Sequence, residues 1–264
     1  MQFLLNFIRI KSANKVNKDG SERIVIHRDI LSKKEITRKI FIEFYNLMLA
    51  AEKKFFSNSS NNGKRIELGA GSSFFNKIDL NIEKTDVVAG PDIDRVVDAT
   101  KMPYKKNEIK TFFGVFFFHH LQNPYKFLDE VSRCCEKNGG VILIEPFHGP
   151  LSRFIHSHMH KNEFYDRKGP AIKNTSLPMS DANQALSYIV FFREYFFFEQ
   201  RYKDLEIIKL KKINSYLRYI ISGGINFKQL LPDFMIPIIR LIEIILTPIS
   251  YFFCVHYLIV IKKK

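Results

Sequence analysis

Tryptophan is absent from the 264 residues, and cysteine is scarce at three. Two of the cysteines are adjacent, Cys134 and Cys135, and the third is Cys254. Neighbouring cysteines rarely bridge one another, and an odd count fits a reducing compartment, so a cytoplasmic protein with structural thiols is expected. The C-x-x-C spacing of zinc sites and redox pairs is missing, which removes both chemistries from consideration. Acids are in short supply too: 27 Asp plus Glu stand against 41 Lys plus Arg, a formal charge of +14. Such a surplus favours an anionic partner, whether nucleic acid, membrane surface or acidic substrate. The basic residues run from Lys11 to Lys264 with no dense block and no nucleic-acid motif, so a dedicated nucleic-acid interface is not expected. With 46% apolar and 26% charged residues, the composition is that of an ordinary globular protein and excludes wholesale disorder.

The start of the chain lacks a basic segment ahead of its apolar stretch and a small-residue cleavage site, so no secretory signal is predicted. Residues 244–261 carry no Asp, Glu, Lys or Arg, which reaches the lower length limit of a membrane span. Pro248 and His256 interrupt that stretch, and the residues after Tyr251 are β-branched and aromatic. The pattern predicts a core helix followed by a last strand in preference to a membrane anchor.

Three regions follow. In residues 1–60, Ile36, Ile40, Phe41, Phe44, Leu47, Met48 and Ala51 recur at three- and four-residue steps and predict an amphipathic helix in an N-terminal helical cap. Ser57-Asn-Ser-Ser-Asn-Asn-Gly63 reads as a linker. From Lys64 to Pro146, short apolar runs alternate with helix-like segments. Strands are predicted at residues 65–68, ending near Asp86 and Val97, at 111–116 and at 141–144. A helix is predicted at 124–137, stopped by Gly139-Gly140. That alternation predicts an α/β fold, a largely parallel sheet with helices on both faces and a ligand at the strands' carboxyl ends. Residues 147–250 read as a substrate-side insertion, with a His-rich loop, a helix near 181–201, a strand at 205–210, a Ser222-Gly-Gly224 turn and an apolar helix from about Leu230.

Chemistry concentrates at the predicted strand ends. Glu67-Leu-Gly-Ala-Gly-Ser-Ser73 follows a strand, and its glycines allow a tight turn with close backbone approach to a ligand. A dinucleotide fingerprint would place a third glycine where Phe74 stands, which disfavours an NAD-dependent oxidoreductase. Glu67, two residues before the first glycine, suits a ligand with an amino group. Asp86 can accept from both hydroxyls of a ribose, with Asp92 and Asp94 as nearby competitors. In Asp98-Ala-Thr-Lys-Met-Pro103, Asp98 can hold an adenine amine and Met102 can lie against the ring.

In these motifs the chain resembles the type 11 methyltransferase domain of the class I S-adenosylmethionine-dependent enzymes. Glu67 to Gly71, Asp86, Asp98 to Pro103, His119-His120-Leu121, and Lys137-Asn-Gly-Gly140 before the run ending at Pro146 carry the likeness. It implies a Rossmann-like seven-stranded sheet whose last strand is antiparallel, and S-adenosylmethionine lying across the ends of the first four strands. Glu67, Gly69, Ala70, Gly71, Asp86, Asp98, Ala99 and Met102 are the implied cofactor-binding residues. The likeness continues, in a less characterised bacterial subset, through a His- and Phe-containing loop (residues 156–164) and an L-R-Y-x-x-S-G-G turn (217–224). Members of that subset are often surface-polysaccharide or lipid-modifying enzymes. Two departures stand out: Ser73 replaces a third glycine, and Lys110, Gly114 and Val115 replace an acid and a polar residue of the fourth strand.

Methyl transfer is an in-line displacement in which positioning alone is worth effective molarities of ~10⁵ M or more. A hydroxyl acceptor also needs a base, typically worth ~10²–10⁴-fold. His119, His120 and His148 are the candidate bases, each at a predicted strand end. His156, His158 and His160 alternate, but alternate residues of a helix do not face one way and no acidic partner set accompanies them, so no metal is expected. Phe116 to Phe118 and Phe196 to Phe198 read as core. The expected acceptor is a small, saccharide or lipid-linked molecule methylated on O or N, with peripheral membrane contact a further expectation. The rival is a noncatalytic protein of the same fold that binds a membrane or a protein partner, its groove blocked by a side chain such as Phe74.

Overall fold

Successive residues of a strand point to opposite faces, and the central strands here are apolar on both. Phe112 and Phe113, Val141 and Ile142, Leu143 and Ile144, Leu258 and Ile259 each divide in this way between two cores, one on either side of a single sheet. In the computed structural model, which describes residues 7–17, 19–59, 62–159, 163–175, 177 and 179–264, the sheet has seven strands. They are β1 (Lys64–Glu67), β2 (Ile82–Asp86), β3 (Arg95–Val96), β4 (Ile109–Val115), β5 (Cys135–Pro146), β6 (Leu205–Lys212) and β7 (His256–Lys263). Their order is β3-β2-β1-β4-β5-β7-β6. β1 to β5 run parallel, and β7 is antiparallel to both β5 and β6. The fold is the Rossmann-like seven-stranded arrangement. The chain reverses direction of travel across the sheet between β1 and β4, which opens a crevice at their carboxyl ends.

Helix α1 (Glu22–Ser32) and the long α2 (Glu35–Phe55) lead into the sheet. α2 buries Ile36, Ile40, Phe44 and Met48 in the same core as Phe113, Ile142 and Val260, so it covers one face of the sheet directly. α3 (Pro124–Cys134) covers the other face through Phe127, Leu128 and Val131. Its start is capped by the Asn123 side chain, which accepts from the amides of Tyr125 and Lys126. Helices α4 (Pro150–His158), α5 (Tyr195–Arg201), α6 (Tyr216–Ser222), α7 (Ile236–Ile245) and α8 (Ser250–Phe253) belong to the segments on either side of β6. The expectations for the first six residues and for His160 lie outside the described residues.

Four expectations need correction. α3 ends at Cys134 and β5 begins at Cys135, so Gly139 and Gly140 lie inside a strand and do not stop the helix. The reason is steric: a Cβ on Gly140 would stand 2.0 Å from the Ile261 carbonyl oxygen on β7. We expect Gly140→Ala to lose ~3 kcal/mol or more in urea unfolding, because the backbone itself must move; an unchanged midpoint would contradict that. The His-rich stretch is also partly helical, as α4. Finally, Phe198 is buried, but Phe196 and Phe197 are exposed, and α7 turns most of its apolar residues outward where a core helix was expected.

Candidate active site

The first turn of the crevice is set by glycine geometry. Gly69 and Gly71 have φ of 61° and 48°, left-handed values that a side chain would strain. A Cβ on Gly69 would also come within 2.7 Å of the Phe117 ring, which closes over this turn from the end of β4. The loop is tied to β2, since the Gly71 amide donates to Asp86 Oδ2 at 2.9 Å. Ser73 hydrogen-bonds Glu67 Oε2 at 2.8 Å and Tyr45 Oη at 3.0 Å, so the serine in place of glycine links the loop to α2. Phe74 packs against Tyr45 with ring centroids 5.3 Å apart and lines neither cavity described below.

Two adjoining cavities occupy the crevice. The first, about 320 Å³, is bounded by Gly69, Asp86, Val87, Asp98, Ala99 and Phe117, among others. The second, about 200 Å³, lies over the glycine turn and includes Glu67, Ala70, Gly71, His119, Glu163 and Tyr219. Arg23, Gly69, Phe116, His120 and Met179 border both, so the cavities form one bent channel past the ends of β1 and β4. Residues 156, 163, 184, 219, 225 and 226, from the segments flanking β6, close the second cavity from above.

Of the acids, Glu67 is buried, and desolvation pushes its carboxyl from 4.5 up to about 8 against the opposing pull of Ser73 and Lys84. Asp86 is equally buried and forms an ion pair with Arg23 of α1 at 2.6 Å. Asp98 is exposed, and its Oδ1 accepts from the Thr100 amide at 2.8 Å. Met102 does not line the cavity. It is buried in the core, its amide donating to Glu130 and its carbonyl accepting from Arg133, so the apolar wall comes from Val87, Val97, Ala99 and Phe117.

The three histidines separate. His119 is buried with Nδ1 2.7 Å from Glu145 Oε2. Glu145 Oε1 accepts from the amides of Phe117 and Phe118 at 2.9 and 2.7 Å. The carboxylate thus fixes both the loop after β4 and the His119 ring, leaving Nε2 as the atom free to accept a proton. His120 packs against His119 with ring centroids 4.2 Å apart and borders both cavities. His148 borders neither; it sits among the rings of Phe147, Tyr188, Phe192 and Tyr257, and burial lowers its pKa to about 4. Among the described residues, no group of three or more His, Cys, Asp or Glu is placed to hold a metal ion.

Sequence reasoning missed Arg23, Phe116 and Glu145. Glu145 had a signal, an acid ending the apolar run 141–144, where a buried charge requires a partner. Phe116 had none: its φ of 54° is a left-handed value unusual for a bulky residue, imposed where β4 breaks into the crevice. Arg23 reaches Asp86 across 63 residues, a contact no local pattern announces.

Residues 75–143 match the family model for the methyltransferase domain. That match spans α3, β2 to β4 and most of β5. The middle of the chain, from β2 into β5, is therefore similar to a methyltransferase domain. No curated protein sequence matches it. Among solved structures, the chain is similar to geranyl diphosphate C-methyltransferase from Streptomyces coelicolor A3(2), at 14% identity over 86% of this chain and 82% of that one, with a TM-score of 0.43. It is similar to phosphoethanolamine N-methyltransferase 2 of Haemonchus contortus, at 11% identity over 90% and 60% of the two chains and a TM-score of 0.43. The YcgJ protein of Bacillus subtilis matches at 10% identity over 81% and 98%, with a TM-score of 0.44.

Proposed function

We propose that this methyltransferase moves a methyl group from S-adenosylmethionine to an O or N of a small, saccharide or lipid-linked acceptor, with His119 as general base. The observation that carries the reading is the buried His119–Glu145 pair facing a cavity that adjoins the glycine turn. The channel suits the cofactor's chemistry: one arm offers acids and an apolar wall to a nucleoside, the other a buried carboxyl beside the glycine turn. When bound, the cofactor supplies an electrophilic methyl on a sulfonium that is already a good leaving group.

The residues divide the remaining work. Glu67 holds the amino group of the methionine portion, the turn of Gly69, Ala70 and Gly71 lets the chain pass close beneath it, and Asp86 accepts from the ribose hydroxyls. Asp98 and Ala99 edge the adenine. His119 removes the acceptor's proton at Nε2 while Glu145 keeps the ring oriented. Phe41, Phe116 and Tyr219 give the acceptor cavity apolar walls, and Glu163, Gln184 and Asn226 give it polar ones, a mixture that suits a sugar or a polar headgroup on an apolar carrier.

Glu67 makes a separate expectation about protons. In the free protein its folded pKa lies above the ordinary value, so the folded state keeps a proton that the unfolded chain releases, and stability falls as pH rises from about 4.5 to about 8. A ligand ammonium favours the ionised form. Binding near neutral pH therefore releases close to ~1 proton, and affinity climbs as pH rises toward 8. Calorimetry in two buffers of different ionisation enthalpy reads the proton directly; identical apparent enthalpies would remove the ammonium from Glu67.

The acceptor class is tested by incubating the full chain with methyl-tritiated S-adenosylmethionine and separate lipid and saccharide fractions from cells. Label entering either fraction, and lost in His119→Ala, supports the reading. Label entering neither, with S-adenosylmethionine bound, removes it.

A further inference from the structure

The segment between β6 and β7 carries a helix whose polarity is inverted. On α7 the buried positions are Ile239 and Glu243, and Glu243 is held by Arg218 of α6 with Nε 2.6 Å from Oε2. Arg218 in turn pairs with Glu43 of α2. The one acid of the helix therefore faces the protein, and Ile238, Leu241, Ile242, Ile244 and Ile245 face outward. Ile244 and Ile245 are 62% and 65% exposed. The patch continues through Ile249, Tyr251 and Phe252 on and beside α8, and through Phe234, which is 76% exposed, ahead of α7. A surface helix of a water-exposed protein places its apolar stripe inward; here the stripe is displayed, and contiguous displayed apolar surface of this kind marks an interaction site.

Charge around the patch selects the occupant. Arg240 is exposed in the middle of the apolar stripe. Lys212 lies with its ammonium 5.9 Å from the Tyr251 ring, and Lys209 and Lys211 are exposed on the same edge strand. The end of β6 is tied to the α7–α8 bend by Asn214 donating to Thr247 Oγ1 at 3.1 Å. From residue 228 to the last residue the sequence contains two acids, Asp233 and Glu243, and Glu243 is buried in its pair with Arg218. A second copy of the chain on this patch would bring like charges together, whereas anionic headgroups complement them. Length decides between spanning and lying flat. The helical stretches Asp233–Ile245 and Thr247–Phe253, which contain α7 and α8, meet at a 64° bend, and among the described residues no single helix is long and apolar enough to cross a membrane. Ten residues of helix reach only ~15 Å, half of a bilayer core.

We propose that α7 and α8 dock this methyltransferase flat on an anionic lipid bilayer, with the apolar stripe among the acyl chains and Arg240 and Lys212 at the headgroups. The docked face lies one helix from the acceptor cavity: Arg218 of α6 grips α7, and Tyr219 beside it borders the cavity. The inference stands apart from the methyl-transfer reading and is measured without turnover. The full chain is sedimented with vesicles of phosphatidylcholine alone and of equal parts phosphatidylcholine and phosphatidylglycerol, beside Leu241→Glu/Ile245→Glu and with gel filtration of each protein. Both substituted positions are exposed, so the variant keeps its fold, checked by its melting curve. We expect the wild type to pellet with the anionic vesicles and the variant to lose roughly tenfold or more of that affinity. Failure to pellet with anionic vesicles, or equal pelleting of the variant, would overturn the proposal. So would a wild-type dimer that the variant converts to a monomer without a change in pelleting, which would assign the patch to a second copy.

Discussion

Asp86→Ala is expected to weaken S-adenosylhomocysteine binding by roughly 10²-fold or more, since two hydroxyl bonds to a charged acceptor are worth about 1.5–3 kcal/mol each. The substitution also strands Arg23, whose side chain is 7% exposed and whose partner in an ion pair would be gone. Breaking a buried pair on one side costs about 3–5 kcal/mol, so this variant should also melt earlier. Arg23→Ala separates the two effects. Asp86 keeps its bonds from the amides of Gly71 and Val88, so the carboxylate remains satisfied. Arg23 must leave Asp86 before ribose can use it, so Arg23→Ala should bind the ligand at least as tightly as the wild type. Calorimetry and melting curves on Asp86→Ala, Arg23→Ala and the double variant make the comparison. Equal weakening in both single variants would mean that Arg23 itself touches the ligand and that the pair is a composite binding group.

His119→Ala is expected to lower kcat by ~10²–10⁴-fold on a hydroxyl acceptor while leaving the cofactor dissociation constant within about twofold. The fold should survive, because Glu145 retains the amides of Phe117 and Phe118. Glu145→Gln tests the orienting role: its carbonyl can still accept from those amides, but its NH2 group would face His119 Nδ1 and favour the wrong tautomer. Both variants should turn over more slowly with cofactor affinity kept, and His120→Ala should retain most of the wild-type kcat. A His119→Ala enzyme with wild-type kcat, or a loss of kcat confined to His120→Ala, would reassign the base.

Much of the fold was legible because it rests on local pattern. The alternating apolar runs located β1, β2, β4, β6 and β7 to within a few residues, and the three-and-four spacing from Ile36 to Ala51 located α2. Boundaries set by distant contacts were not legible. Gly139 and Gly140 look like a helix stop, yet they are small because β7 and the Lys110 carbonyl crowd them. The same division runs through the site. Glu67 and Asp86 end strands, and Gly69, Gly71 and Asp98 follow within four residues of one, so strand reading alone brings them to one crevice. Arg23, Tyr219 and Asn226 arrive from far along the chain, and His119 could be chosen over His148 only once Glu145 was seen to hold it. α7 misled for a related reason. Composition reports how apolar a helix is but not which way it faces, and the buried Arg218–Glu243 pair turned its stripe outward.

The central claim, that the crevice between β1 and β4 binds S-adenosylmethionine, is tested most directly by calorimetric titration of the full chain with S-adenosylmethionine and S-adenosylhomocysteine. We expect one site with a dissociation constant on the order of micromolar for each, weakened in Asp86→Ala. A folded wild-type protein that binds neither would contradict the claim and leave the Arg23–Asp86 pair as a permanent plug in a methyltransferase fold without its cofactor.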